Sequence, residues 1–391
     1  MVGALGTGTN MYKGLLEEFS DERDVVFFSY DWRYSTQTTA EELEAYINGH
    51  HYESVMLVCH SMGGIVASNY LARSTENRQK VEKIVTVGTP YGGSPKALFT
   101  FQTGKFLDVP IIDDLFKDLA KNLPSVYELL PYQNAINAGY EYVSLLDDSG
   151  NISGYGTDET NKMIEDSFNS RLLSKALKTE DKVYAGGQHI MNSADVDLTI
   201  IAGTNCDTIN KIYVNESGEA VKIGKSAAGD GTVPLWSAIL SNGAYFNHPI
   251  YLVNGVTHSS LFGDADVVSA VRAILRGNTA SETDKFKKLD VNTGLGSLMI
   301  DPDDYQDNQS RDNIPDRGAV FDLINSALGF GYNTLVAHCP VLLELYDEKG
   351  TLVGSVSEAG IFAEAGYEEC FELMNGGETK QVYVPEGYSV K

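Results

Sequence analysis

Short apolar runs separated by helix-like segments fill residues 1–277, and this alternation is the strongest constraint on what the chain can fold into. Val25–Ser29, Ser54–Val58, Lys83–Val87, Asp197–Ala202 and Ile250–Val253 read as strands. Met11–Phe19, Thr39–Ile47, Gly63–Arg73 and Val267–Leu275 read as helices. The Thr39–Ile47 helix would open on a Thr-Thr cap with acids in its first turn, and Gly277 would stop the last one. Continuous apolar strands are buried on both faces, and helical crossovers make neighbours parallel. The expectation is therefore an α/β fold with a mostly parallel sheet covered by helices on both sides.

Two stretches break the rhythm. Residues 94–196 are too long for a simple connection. Within them Leu115, Phe116, Leu119, Ala120 and Leu123 have helical spacing, which suits either a core-facing helix or a cap over a site. Residues 205–229 contain a hairpin pattern turning at Asn215–Gly218. Further on, residues 278–335 are polar and acidic and read as a linker; Asp301, Asp303, Asp304 and Asp307 lack the Gly and closing Glu of a calcium loop, so no metal site is expected. Residues 336–391 read as a small β domain, with a hairpin from Val341–Tyr346 through Asp347–Gly350 to Leu352–Val356 and a further strand at Val382–Val384. The formal net charge of −25 argues against nucleic acid, since phosphate binding needs clustered Lys and Arg. It also disfavours unaided adsorption to anionic membranes. No run of about 18 apolar residues is present to span a bilayer. Cys59, Cys206, Cys339 and Cys370 lie far apart without zinc-ligand spacing, and Cys59 reads as a small buried residue.

The chemistry concentrates at Cys59-His60-Ser61-Met62-Gly63-Gly64, which follows an apolar strand and opens a helix. That is the context of a nucleophile elbow, G-x-S-x-G, in which small residues flank the serine because the turn is tight. Cys59 stands where the pattern has glycine. A serine hydroxyl needs a base, and a carboxylate to orient that base; in this fold the chain order is Ser, acid, His. His258 follows the strand Ile250–Val253 and would lie at the C-terminal edge of the sheet. His248 precedes that strand; His60 is a packing or orienting residue; His50, His51, His189 and His338 lack the context. The acid is Asp230 in Gly229-Asp230-Gly231-Thr232-Val233-Pro234, with Asp207 as the alternative. An oxyanion needs two N–H donors. Met62 would supply one, and the Gly3-Ala4-Leu5-Gly6 loop the other.

Together these segments resemble the lecithin:cholesterol acyltransferase family of α/β-hydrolase lipases. Val2-Gly3-Ala4-Leu5-Gly6 resembles the family's P-G-x-L-G oxyanion loop, with Leu5 at the donor position and Val2 in place of the Pro. Tyr30-Asp31-Trp32-Arg33 matches Y-D-W-R, and Gly88–Ser94 matches the segment after the next strand. Leu123–Pro131 resembles a cap-region motif; Gly229–Leu235 and Thr257-His258-Ser259 match the acid and histidine loops. The resemblance covers roughly residues 1–277. It implies an α/β-hydrolase fold with a cap at about 95–185, and an acyl-ester or lipid substrate met with transient contact at a lipid interface. The implied enzyme is a serine esterase or lipase needing no cofactor; Trp32 is a candidate to line the acyl pocket, with a purely structural role as the alternative. An acyltransferase and a non-catalytic binding protein on a hydrolase scaffold are the rival readings. The family also has a buried strand before the oxyanion loop, so a longer chain carrying that strand, and with it an export signal, is the expectation.

Overall fold

The computed structural model describes residues 12–19, 25–104, 117, 119–132, 141–185, 188–193, 195–239 and 248–289, together with strand segments within 332–390. The chain divides into two compact units, one spanning Met11–Asn308 and one containing Gln309–Lys391.

In the first unit the strands are β1 (Val55–His60), β2 (Val81–Val87), β3 (Val143–Leu146), β4 (Ile152–Gly154), β5 (Leu198–Thr204), β6 (Thr208–Val214), β7 (Ala220–Ser226), β8 (Ile250–Asn254) and β9 (Phe286–Lys288). Among the described residues the main sheet runs β1–β2–β5–β8–β9. The first three pairings are parallel and β9 closes the edge antiparallel. Registers such as His60 with Val87 and Asn254 with Thr204 bring the C-terminal ends of β1, β2, β5 and β8 to one rim. β9 lies inside the stretch expected to be linker, so the sheet outlasts the expected boundary at 277. Its Phe286 stacks on Tyr251 of β8 and is fully buried, which explains how a polar stretch supplies a strand.

Helices cover both faces. α1 (Lys13–Glu18), α2 (Thr36–Gly49), α3 (Met62–Arg73) and α4 (Ala265–Leu275) stand close to their predicted positions. On one face Ala40, Leu43 and Ile47 of α2 and Val66, Tyr70 and Leu71 of α3 pack with Ile84, Leu198 and Ile200. On the other, Val267, Val271 and Ile274 of α4 pack with Val85, Val87, Ile201 and Val253. Each of the Val, Leu and Ile side chains among them contributes about 1.5–3 kcal/mol on burial. α4 starts on Asp264, whose carboxylate accepts the amides of Asp266 and Val267. It stops at Gly277, whose φ of +77° ends the helix as expected. α2 opens differently from the prediction: its cap is Ser35, and its first turn holds no acid of its own.

Val25–Ser29 is also corrected. Its described backbone is irregular, and Val25 and Val26 are each 50% exposed. An apolar run becomes a strand only when a neighbour takes up its ladder of N–H and C=O groups. Among the described residues β1 pairs on one side only, with β2, and no pairing reaches Val25–Ser29.

The two interruptions assemble into one structure. β4–β3–β6–β7 form a second sheet, with β3 parallel to β6, so the hairpin after β5 completes the insert made by the earlier stretch. Its tip turns at Asn215–Glu219, where Gly218 has φ +76°. Its core joins Leu98, Phe101, Tyr127, Tyr142, Ile164 and Leu173 to Ile212 and Val214. Leu115 and Phe116 of the expected helix lie outside the described residues; Leu119 is exposed, while Ala120 and Leu123 are buried.

In the second unit the pairings among the described residues are all antiparallel. Tyr332–His338, Thr379–Pro385 and Phe371–Met374 make one sheet, and Gly360–Ala363, Leu352–Ser357, Leu343–Tyr346 and Ser389–Val390 another. The expected hairpin is present as Leu343–Tyr346 against Leu352–Ser357. Asp301, Asp303, Asp304, Asp307, His338, Cys339 and Cys370 lie outside the residues whose side chains are described. Among the described residues no helix is long and apolar enough to cross a membrane.

Candidate active site

Ser61 sits between β1 and α3 with φ 52° and ψ −127°, a conformation that costs a non-glycine residue about 1–3 kcal/mol. Its own amide donates to Val87 O at 3.0 Å, which ties the turn to β2. The tightest approach falls at Gly64, where a Cβ would lie 2.2 Å from Thr89 Oγ1. Gly63 is roomier, its Cβ position being 3.8 Å from the Cβ of Cys59, so a cysteine fits where the general pattern has glycine. Cys59 is buried, and burial pushes its thiol up to about 12, which leaves it protonated and unreactive.

His258 follows β8 at the same rim. Its Nε2 lies 2.9 Å from Ser61 Oγ and its Nδ1 lies 2.7 Å from Asp230 Oδ2. A carboxylate can only accept, so Nδ1 carries the proton and Nε2 is left to accept from the serine hydroxyl. Asp230 is 1% exposed. Its other oxygen accepts from the Thr232 and Val233 amides at 3.0 and 2.7 Å, and its carbonyl accepts the His258 amide at 2.8 Å. Both carboxylate oxygens of Asp230 are thus taken up by donors from its own loop and from His258. Two glycines make room for the pair. A Cβ on Gly203 would lie 2.5 Å from Asp230 Cβ. A Cβ on Gly88, where φ is +62°, would lie 3.1 Å from Asp230 Oδ2 and 3.2 Å from His258 Nδ1.

Of the two candidate acids, Asp230 meets the imidazole, while Asp207 is exposed. Among the other histidines, His248 faces Met191 and Asp197 at the start of its strand. His50 bonds the Tyr46 carbonyl, and His189 is buried with Nδ1 accepting the Met191 amide. Met62 is the first residue of α3, so its N–H has no acceptor within the helix and stands at the positive end of the helix dipole. Leu5 and its loop lie outside the described residues. Trp32 is half-buried against the apolar cluster of the insert, and its neighbours Asp31 and Arg33 pair with each other at 2.5 Å at the surface.

Glu128, which no catalytic motif marks, also takes part in a buried polar cluster. It is buried and accepts from Ser35 Oγ at 2.5 Å, the Thr36 amide at 2.6 Å and Thr36 Oγ1 at 2.7 Å. It therefore supplies, from the insert, the acid that the first turn of α2 lacks. Burial raises its pKa, and the Ser35 and Thr36 bonds only partly oppose that. The one signal available was a lone acid inside the apolar run Leu123–Pro131.

The family described as lecithin:cholesterol acyltransferase matches residues 14–219. A lecithin-cholesterol acyltransferase-like 1 of Arabidopsis thaliana is 27% identical over 28% of this chain and 24% of its own length. A lysosomal phospholipase A and acyltransferase of Canis lupus familiaris is 24% identical over 65% of this chain and 63% of its own length. The chain thus spans less than two thirds of either relative. A solved Tle4–Tli4 complex aligns with a TM-score of 0.44 at 14% identity, covering 61% of this chain and 65% of that one. A thermophilic esterase from Thermogutta terrifontis aligns with a TM-score of 0.33 at 14% identity, covering 70% and 86%.

Proposed function

Because the chain belongs to the lecithin:cholesterol acyltransferase family, we propose that it cleaves carboxylic, lipid-type esters through an acyl-enzyme on Ser61. The observation that carries this reading is the unbroken chain from Asp230 Oδ2 through both ring nitrogens of His258 to Ser61 Oγ. Ser61 Oγ attacks the ester carbonyl while His258 Nε2 takes its proton. Asp230 holds the resulting imidazolium by its Nδ1–H. The Met62 amide donates to the oxyanion, and the Leu5 amide is proposed as the second donor. Collapse of the intermediate breaks the ester bond, and His258 returns the proton to the leaving alcohol. Water, deprotonated by the same imidazole, then attacks the acyl-serine and releases the acid. Trp32 and the insert are proposed to face the acyl chain, and no cofactor takes part in this sequence of steps.

Transfer to an alcohol is the second reading, favoured by the family itself. The acyl-enzyme is common to both readings, so the acceptor alone separates them. Wild-type protein should be labelled by an organophosphonate ester and should turn over an acyl ester, and Ser61→Ala should lose both. An unlabelled, inactive wild type would leave the scaffold as a binding protein. Adding a long-chain alcohol and analysing products for ester against free acid would separate transfer from hydrolysis.

A further inference from the structure

We infer that His60, seated by Tyr12, is a positioning residue that clamps the main chain of His258 and so aims its imidazole at Ser61. The inference rests on the proposed function and adds a part to the same site.

His60 Nε2 lies 3.1 Å from the backbone oxygen of His258, and His60 Nδ1 lies 3.1 Å from Tyr12 Oη. A carbonyl oxygen can only accept, so Nε2 carries the hydrogen and Nδ1 is the bare nitrogen. Nδ1 then accepts from the Tyr12 hydroxyl, and the two bonds together select one neutral tautomer. Burial, reinforced by the nearby His258 ring, drives the His60 pKa down to about 3, so the ring stays neutral across the working range. Around it, Tyr12 and Phe262 stand edge-on or tilted at ring-centroid distances of 5.3–5.8 Å from His60, Phe27 or each other, and the His258 ring lies 4.9 Å away. The titratable groups facing His60 are therefore Tyr12, His258 and, beyond it, Asp230.

The peptide groups of His258 are thereby held from both sides by the segments of its own partners. Asp230 accepts its amide through a main-chain oxygen, and the residue before Ser61 donates to its carbonyl. The nucleophile and the base thus share one rigid connection that does not pass through the reacting atoms. A neutral His60 also adds no charge beside the imidazolium that forms on His258 during the reaction. Misplacement of a catalytic group by about 1 Å can cost about 100-fold in rate.

The test uses the whole chain with a soluble acyl ester and organophosphonate labelling. His60→Phe keeps an aromatic ring but offers no donor; His60→Gln keeps a donor at the reach of Nε2. For His60→Phe, folded by thermal melt, kcat should fall about 10- to 100-fold with KM within twofold, and the labelling rate should fall in parallel. His60→Gln should regain most of that loss, and Tyr12→Phe should lower kcat less than His60→Phe while leaving KM in place. Unchanged kcat in His60→Phe, or equal losses in His60→Phe and His60→Gln, would overturn the clamp. If His60→Phe fails to fold, the other two variants decide: kcat unchanged in Tyr12→Phe sinks the inference. Failure of the wild type to be labelled at all would instead sink the proposed function.

Discussion

Around Ser61 the catalytic side chains are held by directional polar bonds between loops, whereas the insert of β3, β4, β6 and β7 is built around a large apolar core, to which polar bonds such as Gln102 to Gly218 and the buried Glu128 carboxylate are added. At the rim, loops after β1, β2, β5 and β8 converge, and each polar atom of Asp230 and His258 has a named partner. In the insert, aromatic and aliphatic side chains such as Phe101, Tyr127 and Tyr142 fill the space, and Glu128 reaches across to the start of α2. Directional bonds aim atoms; apolar contact adds stability without aiming anything. Substitutions at the rim should therefore cost rate, and substitutions in the insert should cost stability.

The sharpest break of that contrast would come from Asp230→Asn. The amide oxygen can keep the Thr232 and Val233 amides, but the NH2 group would face His258 Nδ1 and force the wrong tautomer. We expect kcat to fall about 10⁴-fold with little change in melting temperature, measured by ester turnover and thermal unfolding. Loss of fold with it would show that the rim is structural. Glu128→Ala is the mirror case. It strips the acceptor from the buried Thr36 amide and hydroxyl and should cost about 2–3 kcal/mol in denaturant unfolding. Its kcat should stay near wild type once folded; a rate loss like that of Asp230→Asn would erase the distinction.

Gly88→Ala tests where the two regimes meet. The methyl would press on Leu261, Asp230 and His258 in a backbone region with φ +62°, so both stability and rate should fall. The stability part should be about 1–3 kcal/mol, and a variant equal to wild type in both readouts would show that the rim has slack. The last test is in pH. His60 and His189 are both pushed down to about 3 by burial, so the unfolded chain takes up their protons first. Their contribution is complete above about pH 6.5 and is lost as pH falls toward 3, at about 1.4 kcal/mol per pH unit for each histidine. Glu128 acts with the opposite sign: its raised pKa relieves its burial cost as it protonates. Unfolding free energies measured between pH 7 and 4 should therefore slope downward, and more steeply in Glu128→Gln. A flat profile would contradict the burial of these histidines.

Much of this was legible along the chain. Apolar runs marked β1, β2, β5 and β8 because a strand covered on both faces must be apolar throughout, and their order put Ser61, Asp230 and His258 at strand ends. The elbow was legible because its turn admits few side chains, a demand that acts within a few residues. Other features depended on partners distant in sequence. Val25–Ser29 has the composition of a strand and yet is irregular, since composition does not supply a neighbour's ladder. β9 was missed because one buried ring, Phe286, suffices at an edge. Glu128 as the acid for α2 was likewise set by proximity. By itself the sequence determined which segments must be buried and which residue types stand at their ends, because solvation and backbone sterics are local. Only the tertiary structure decided which donor met which acceptor, because a hydrogen bond depends on separations of a few tenths of an ångström between groups far apart in the chain.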